Sequence, residues 1–140
     1  MSWSSGVAVA LSVFVLTGCA SSSAPDTTVK RDFLRGISQI RGTHDYKKLR
    51  ARVARTMTRL RHDSAPTATA RRAKKLALQG FSWTRKGIDS RVAFVENDSG
   101  NVGAATRDAR RADRTLKRGA RLLRAAGSIL GVPVGSLNGF

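Results

Sequence analysis

Few groups in this chain could do chemistry. The 140 residues hold nine carboxylates, two histidines and one cysteine against 26 Lys and Arg, a formal net charge of +17 at pH 7. Catalysis needs nucleophile, acid and base drawn together with matched acidity. The acids are Asp26, Asp32, Asp45, Asp63, Asp89, Glu96, Asp98, Asp108 and Asp113. Several stand beside a cation, as in Arg31-Asp32, Arg107-Asp108 and Asp113-Arg114, the arrangement of solvated partners on a helix surface. His44 and His62 are 18 residues apart, about 27 Å on one helix, and cannot meet. Gly100-Asn101-Val102-Gly103 lacks the preceding strand and following Lys of a phosphate-binding loop. One Cys beside two His forms neither an intramolecular disulfide nor a zinc cluster. The sequence therefore predicts no catalysis, no metal and no cofactor. A single thiol and a large excess of cations remain.

The thiol sits at the end of a distinctive segment. Residues 1–25 contain no charged side chain, and an apolar run over 7–16 is broken only by Ser12. Ten such residues make a helix of about 15 Å, half the hydrocarbon thickness of a bilayer. That is the length of a signal-peptide apolar region, which is removed from the mature protein. The run closes on Leu16-Thr17-Gly18-Cys19. This resembles the lipobox of bacterial membrane lipoproteins: an aliphatic residue, two small residues and a cysteine. The resemblance implies a thiol carrying diacylglycerol, cleavage before Cys19, and anchoring on the extracytoplasmic face of the cell membrane. It covers about 25 residues and concerns processing only.

Ahead of the apolar run only the α-amino group is positive, a departure from the Lys or Arg of ordinary signal peptides. That implies an atypical signal or a start upstream of Met1. The alternatives are an ordinary signal peptide, an uncleaved anchor, or an N-terminal packing helix in which Cys19 is an inert small hydrophobe.

Elements must position whatever follows. The remaining pattern reads as helix throughout, with prolines only at 25, 66 and 133 and no sustained alternation. Asp26-Thr27-Thr28 can cap a first helix with Val29, Phe33, Ile37 and Ile40 on one face. Gly42 breaks it, and Thr43 is the expected cap of a second. There Tyr46, Leu49, Val53, Met57 and Leu60 form an apolar stripe, with Lys48, Arg52, Arg55 and Arg59 on another line. A third helix is expected over 67–96, weakened by Gly80 and Gly87. A fourth carries Val102, Ala105, Ala109, Ala112, Leu116, Gly119, Leu123, Ala126 and Leu130 at steps of 3 and 4. Such a seam wants a partner helix, and the third folding back antiparallel supplies one. A homodimer through the 102–130 seam is the other use of it.

The expected architecture is thus an all-α bundle of three or four amphipathic helices, the last two an antiparallel hairpin. Residues 1–18 read as signal peptide, 19–27 as flexible tether, 28–132 as basic helical domain and 133–140 as C-terminal tail.

All formal side-chain charge lies between residues 26 and 124. On the fourth helix Arg107/Arg111, Arg110/Arg114, Arg114/Arg118 and Lys117/Arg121 are like-charge i,i+4 pairs, each unfavourable by a few tenths of a kcal/mol. A polyanion would relieve that repulsion. Arg52, Arg55, Arg59, Arg110, Arg111, Arg114, Arg118 and Arg121 are the candidate contact residues. The tether from Ala20 to Asp26 spans at most about 25 Å, so an acylated Cys19 would hold them near anionic headgroups or wall polymers. Trp83, among Ser82, Arg85 and Lys86, reads as half-buried packing or as an interfacial anchor. The apolar stretch 122–134 reads as core or as an interface-dipping segment. A nucleic-acid-binding helical protein with an incidental apolar N-terminus is the alternative. It is favoured by the arginine content and disfavoured by the lack of any recognition motif.

Overall fold

Each helix starts and stops where its local chemistry requires. In the computed structural model, residues 24–96 and 100–137 are described, in four helices and, among these residues, no strand. Helix α1 (Ala24–Arg41) has Asp26 in its first turn and Arg41 in its last, both favourable against the helix dipole. It opens inside the segment expected to be tether. Pro25 explains this, because its missing N–H is no loss in a first turn and its fixed φ suits the helix.

Helix α2 (Tyr46–His62) is capped by Asp45, whose carboxylate accepts from the backbone N–H groups of Lys47 and Lys48 at 2.9 and 3.1 Å. Thr43, the expected cap, instead accepts a hydrogen bond from Arg52. A carboxylate next to the helix start competes better for those donors than a hydroxyl two residues earlier. Helix α3 (Ala68–Glu96) begins with the Thr67 hydroxyl accepting from the Ala70 N–H at 3.0 Å. Helix α4 (Val102–Leu130) is capped by Asn101. It ends at Gly131, whose φ of +62° suits glycine. The Val132 N–H then reaches the Gly127 carbonyl at 2.8 Å, the closing bond of a Schellman motif.

Helix α3 is the central helix, packed against α4, α2 and α1. Its register with α4 is antiparallel: Gly80 faces Leu123, Thr84 faces Gly119 and Gly87 faces Leu116, with an ion pair from Arg91 to Asp113. The two glycines expected to weaken α3 allow this approach. A Cβ on Gly80 would fall 2.8 Å from Leu123 Cγ, and one on Gly87 2.5 Å from Leu116 Cγ. The 102–130 seam is thereby filled from within the chain, apart from its first residue, Val102, which is exposed.

The apolar stripes of α1 and α2 face inward: Val29, Phe33, Ile37, Ile40, Leu49, Val53, Met57 and Leu60 are buried. Phe33 and Phe81 meet edge to face with centroids 6.0 Å apart, the favoured aromatic geometry. After Gly131 the chain doubles back. Val132, Val134 and Leu137 are buried, Val134 lies against Gly127, and Gly135 approaches the Arg41 guanidinium. Within the segment expected to be C-terminal tail, Val134 and Leu137 are therefore part of the core, while Pro133, Gly135 and Ser136 are exposed. Leu123, Ala126, Gly127, Val132 and Val134 of the 122–134 stretch are buried, so the side chains of Leu123, Ala126, Val132 and Val134 are committed to the interior.

One end of the bundle, hereafter the base, gathers the start of α1, the start of α3 and the end of α4. Asp26, Thr27, Thr69, Ala70, Ile129 and Leu130 surround a cavity there, and Asp26 accepts from the Thr67 hydroxyl at 3.2 Å.

Candidate polyanion-binding face

The eight candidate arginines fall into two groups that do not share a surface. Arg52, Arg55 and Arg59 lie on α2; Arg110, Arg111, Arg114, Arg118 and Arg121 lie on α4. Helix α3 stands between, packed against both. On α2 the side toward α3 carries Lys47 and Arg50, paired with Glu96 and Asp89 at 2.7 Å each. The opposite flank meets α1, where Thr56 donates to Gln39 at 3.3 Å and Arg52 to Thr43. Helix periodicity puts Arg55 and Arg59 beyond that flank. Both are exposed, while Arg52 is half-buried.

All five α4 arginines are exposed and point away from the buried line Ala112, Leu116, Gly119, Leu123. Among the described residues the ion pairs are Arg31–Asp32, Lys47–Glu96, Lys48–Asp45, Arg50–Asp89 and Arg91–Asp113. None uses any of the eight arginines. Asp113 pairs across the hairpin with Arg91. The like-charge crowding of α4 is accordingly left standing.

The structure adds a centre that spacing alone did not reveal. Arg118 lies 4.2 Å and Lys86 4.9 Å from the centroid of the Trp83 ring. The Trp quadrupole attracts both cations, and Trp83 and Arg118 border a groove of about 510 Å³ together with Gln79, Arg121 and Leu122. Trp83 is half-buried. The cations flanking it in sequence are legible, but Arg118 is 35 residues away and meets it only through the α3–α4 register.

Charge is also segregated along the hairpin. Residues 68–88 of α3 and 114–130 of α4, the longer part of the hairpin, toward the base, contain eleven Lys and Arg and no acid. The shorter part toward the turn, 89–96 with 102–113, has four cations and four acids. In the acid-free part Arg71 and Lys74 are engaged by carbonyls of the end of α2 and the α2–α3 connection. Arg72, Lys75, Lys86, Arg114, Lys117, Arg118, Arg121 and Arg124 are exposed and unpaired with any carboxylate among the described residues.

His44 and His62 are exposed at opposite ends of α2. Among the described residues no cluster of His, Cys, Asp or Glu could hold a metal, and no helix is long and apolar enough to cross a membrane. The expectations for Leu16, Thr17, Gly18 and Cys19 lie outside the described residues. No family model, no curated protein and no solved structure matches this chain.

Proposed function

We propose that this is an exported, lipid-anchored, non-catalytic protein of the bacterial cell envelope that engages anionic lipid headgroups or wall polyanions. The observation that carries the polyanion reading is the set of exposed arginines on α4, crowded at i,i+4 spacing with no carboxylate partner among the described residues. Each such residue near an anionic surface contributes about 1 kcal/mol, screened beyond a Debye length of about 10 Å at 0.1 M salt. Arginine adds a planar fork suited to phosphate oxygens. The anchoring part rests on Leu16-Thr17-Gly18-Cys19, with an acyl group on Cys19 confining the basic surface to the membrane.

The test compares the full chain carrying Cys19→Ala on phosphatidylglycerol vesicles, phosphatidylcholine vesicles and duplex DNA as salt is raised. The proposal expects binding to the anionic vesicles that fades with salt, and none to the zwitterionic ones. Failure to bind anionic vesicles at low salt overturns it, and binding to duplex DNA alone gives the nucleic-acid reading instead.

A further inference from the structure

We propose that one particular surface, the acid-free stretch of the α3–α4 hairpin around Trp83, is the side that lies on an anionic phospholipid bilayer. This rests on the polyanion reading and sharpens it to one face and one kind of partner. Arg72, Lys75, Gln79, Trp83 and Lys86 are spaced 3, 4, 4 and 3 along α3, on the side of that helix opposite its buried line. Arg118 and Arg121 of α4 border the same groove. No acid interrupts residues 68–88 or 114–130, so a phosphate approaching here meets cations and no repelling carboxylate.

Trp83 supplies what a purely basic patch lacks. An indole prefers the depth of the headgroups, its ring against apolar matter and its N–H among polar groups. Here the ring already holds Arg118 and Lys86 close by, so two phosphate-binding cations are in place where the ring would settle, with Leu122 beside them. Among the described residues the competing basic patch on α2 has no ring stacked on its cations, and its Arg52 is turned to Thr43.

Chain geometry agrees with this orientation. Helix α1 starts at Ala24, so the five residue steps from Cys19 reach at most about 18 Å. The helix start is at the base, and Trp83 lies 14 residues along α3 from the basal Thr69, about 21 Å. A bundle lying on the hairpin's outer face puts Trp83 at the bilayer with α1 on the far side of α3, and one interaxial distance plus one helix radius, about 15 Å, is within the reach of the anchor's tether.

The test uses the full chain with Trp3→Phe and Cys19→Ala, which leaves Trp83 as the one tryptophan. On phosphatidylglycerol vesicles its emission should shift to the blue and be quenched by phospholipids brominated near the top of the acyl chains. Arg118→Glu with Arg121→Glu should weaken vesicle binding at least about tenfold. Lys30→Glu with Arg35→Glu on α1, the same change in charge, should weaken it less than about threefold. Arg118→Lys should retain binding, and unchanged helical circular dichroism should show each variant folded. Equal weakening by the two double reversals, or vesicle-bound protein with unquenched Trp83, overturns the orientation while leaving the polyanion reading intact. No vesicle binding by the parent chain overturns both.

Discussion

Gly119 of α4 and Thr84 of α3 touch backbone to backbone: a Cβ on Gly119 would fall 2.6 Å from Thr84 Oγ1, 2.9 Å from the Thr84 backbone nitrogen and 3.0 Å from the Gly80 carbonyl oxygen. The Thr84 hydroxyl is held there by donating to the Gly80 carbonyl at 2.9 Å. Backbone cannot step aside as a side-chain tip can. Gly119→Ala should therefore destabilise the fold by about 1–3 kcal/mol, although alanine is the better helix former. Urea unfolding monitored by circular dichroism checks this. An unchanged or raised midpoint would mean that the two helices are farther apart than described.

The chain after α4 should matter for stability. Val132, Val134 and Leu137 are buried, each 9% exposed or less, and each such side chain contributes about 1.5–3 kcal/mol of burial before the cost of ordering it. Ending the chain at Gly131 should lower the urea midpoint clearly, with Val134→Ala giving part of the loss. A truncated chain as stable as the whole would contradict the packing of residues 132–137.

Two carboxylates should shape the acid side of the stability profile in separate windows. The backbone N–H of Lys48, with that of Lys47 and the nearby Lys48 charge, holds the exposed Asp45 carboxyl below its ordinary 3.8. Its stabilising effect is present above that value and is lost as pH falls through the lowered one. Asp45→Asn keeps the cap and should remove this dependence; Asp45→Ala should lose the cap at every pH.

Asp63 behaves oppositely. Burial, then the neighbouring Asp32 charge, raise it above 3.8 against weaker help from Lys74, and its Oδ2 is buried without a partner. The folded state therefore holds the proton more tightly, and stability falls as pH rises from 3.8 through the raised value. Asp63→Asn should flatten that part of the curve and leave the protein no less stable at pH 7. Urea midpoints from pH 3 to 7 separate the two residues.

Much of the architecture is legible in the sequence because it is periodic. The line Val29, Phe33, Ile37, Ile40 and the line Leu49, Val53, Met57, Leu60 announce buried helix faces at steps of 3 and 4, and the α4 seam announces a partner. What stayed hidden depends on distances between helices. Gly80 and Gly87 read as helix weakness in isolation and become the means of close packing only once Leu123 and Leu116 are set opposite them. The sequence points to Thr43 as the cap of α2, and Asp45, two residues nearer the helix start, takes that role. Leu137 had no period to reveal burial. Arg118 could be placed on a basic line from spacing, but its stacking on Trp83 required the register of the hairpin.

The central claim, a lipid-anchored protein whose basic surface works at a membrane, turns on Cys19. Express the full chain and its Cys19→Ala variant in a bacterium supplied with a palmitate analogue, then fractionate and detect the label. Labelled protein is expected in the membrane fraction, with label lost and the membrane association weakened in the variant. Unlabelled wild-type protein in the cytosol would contradict the claim.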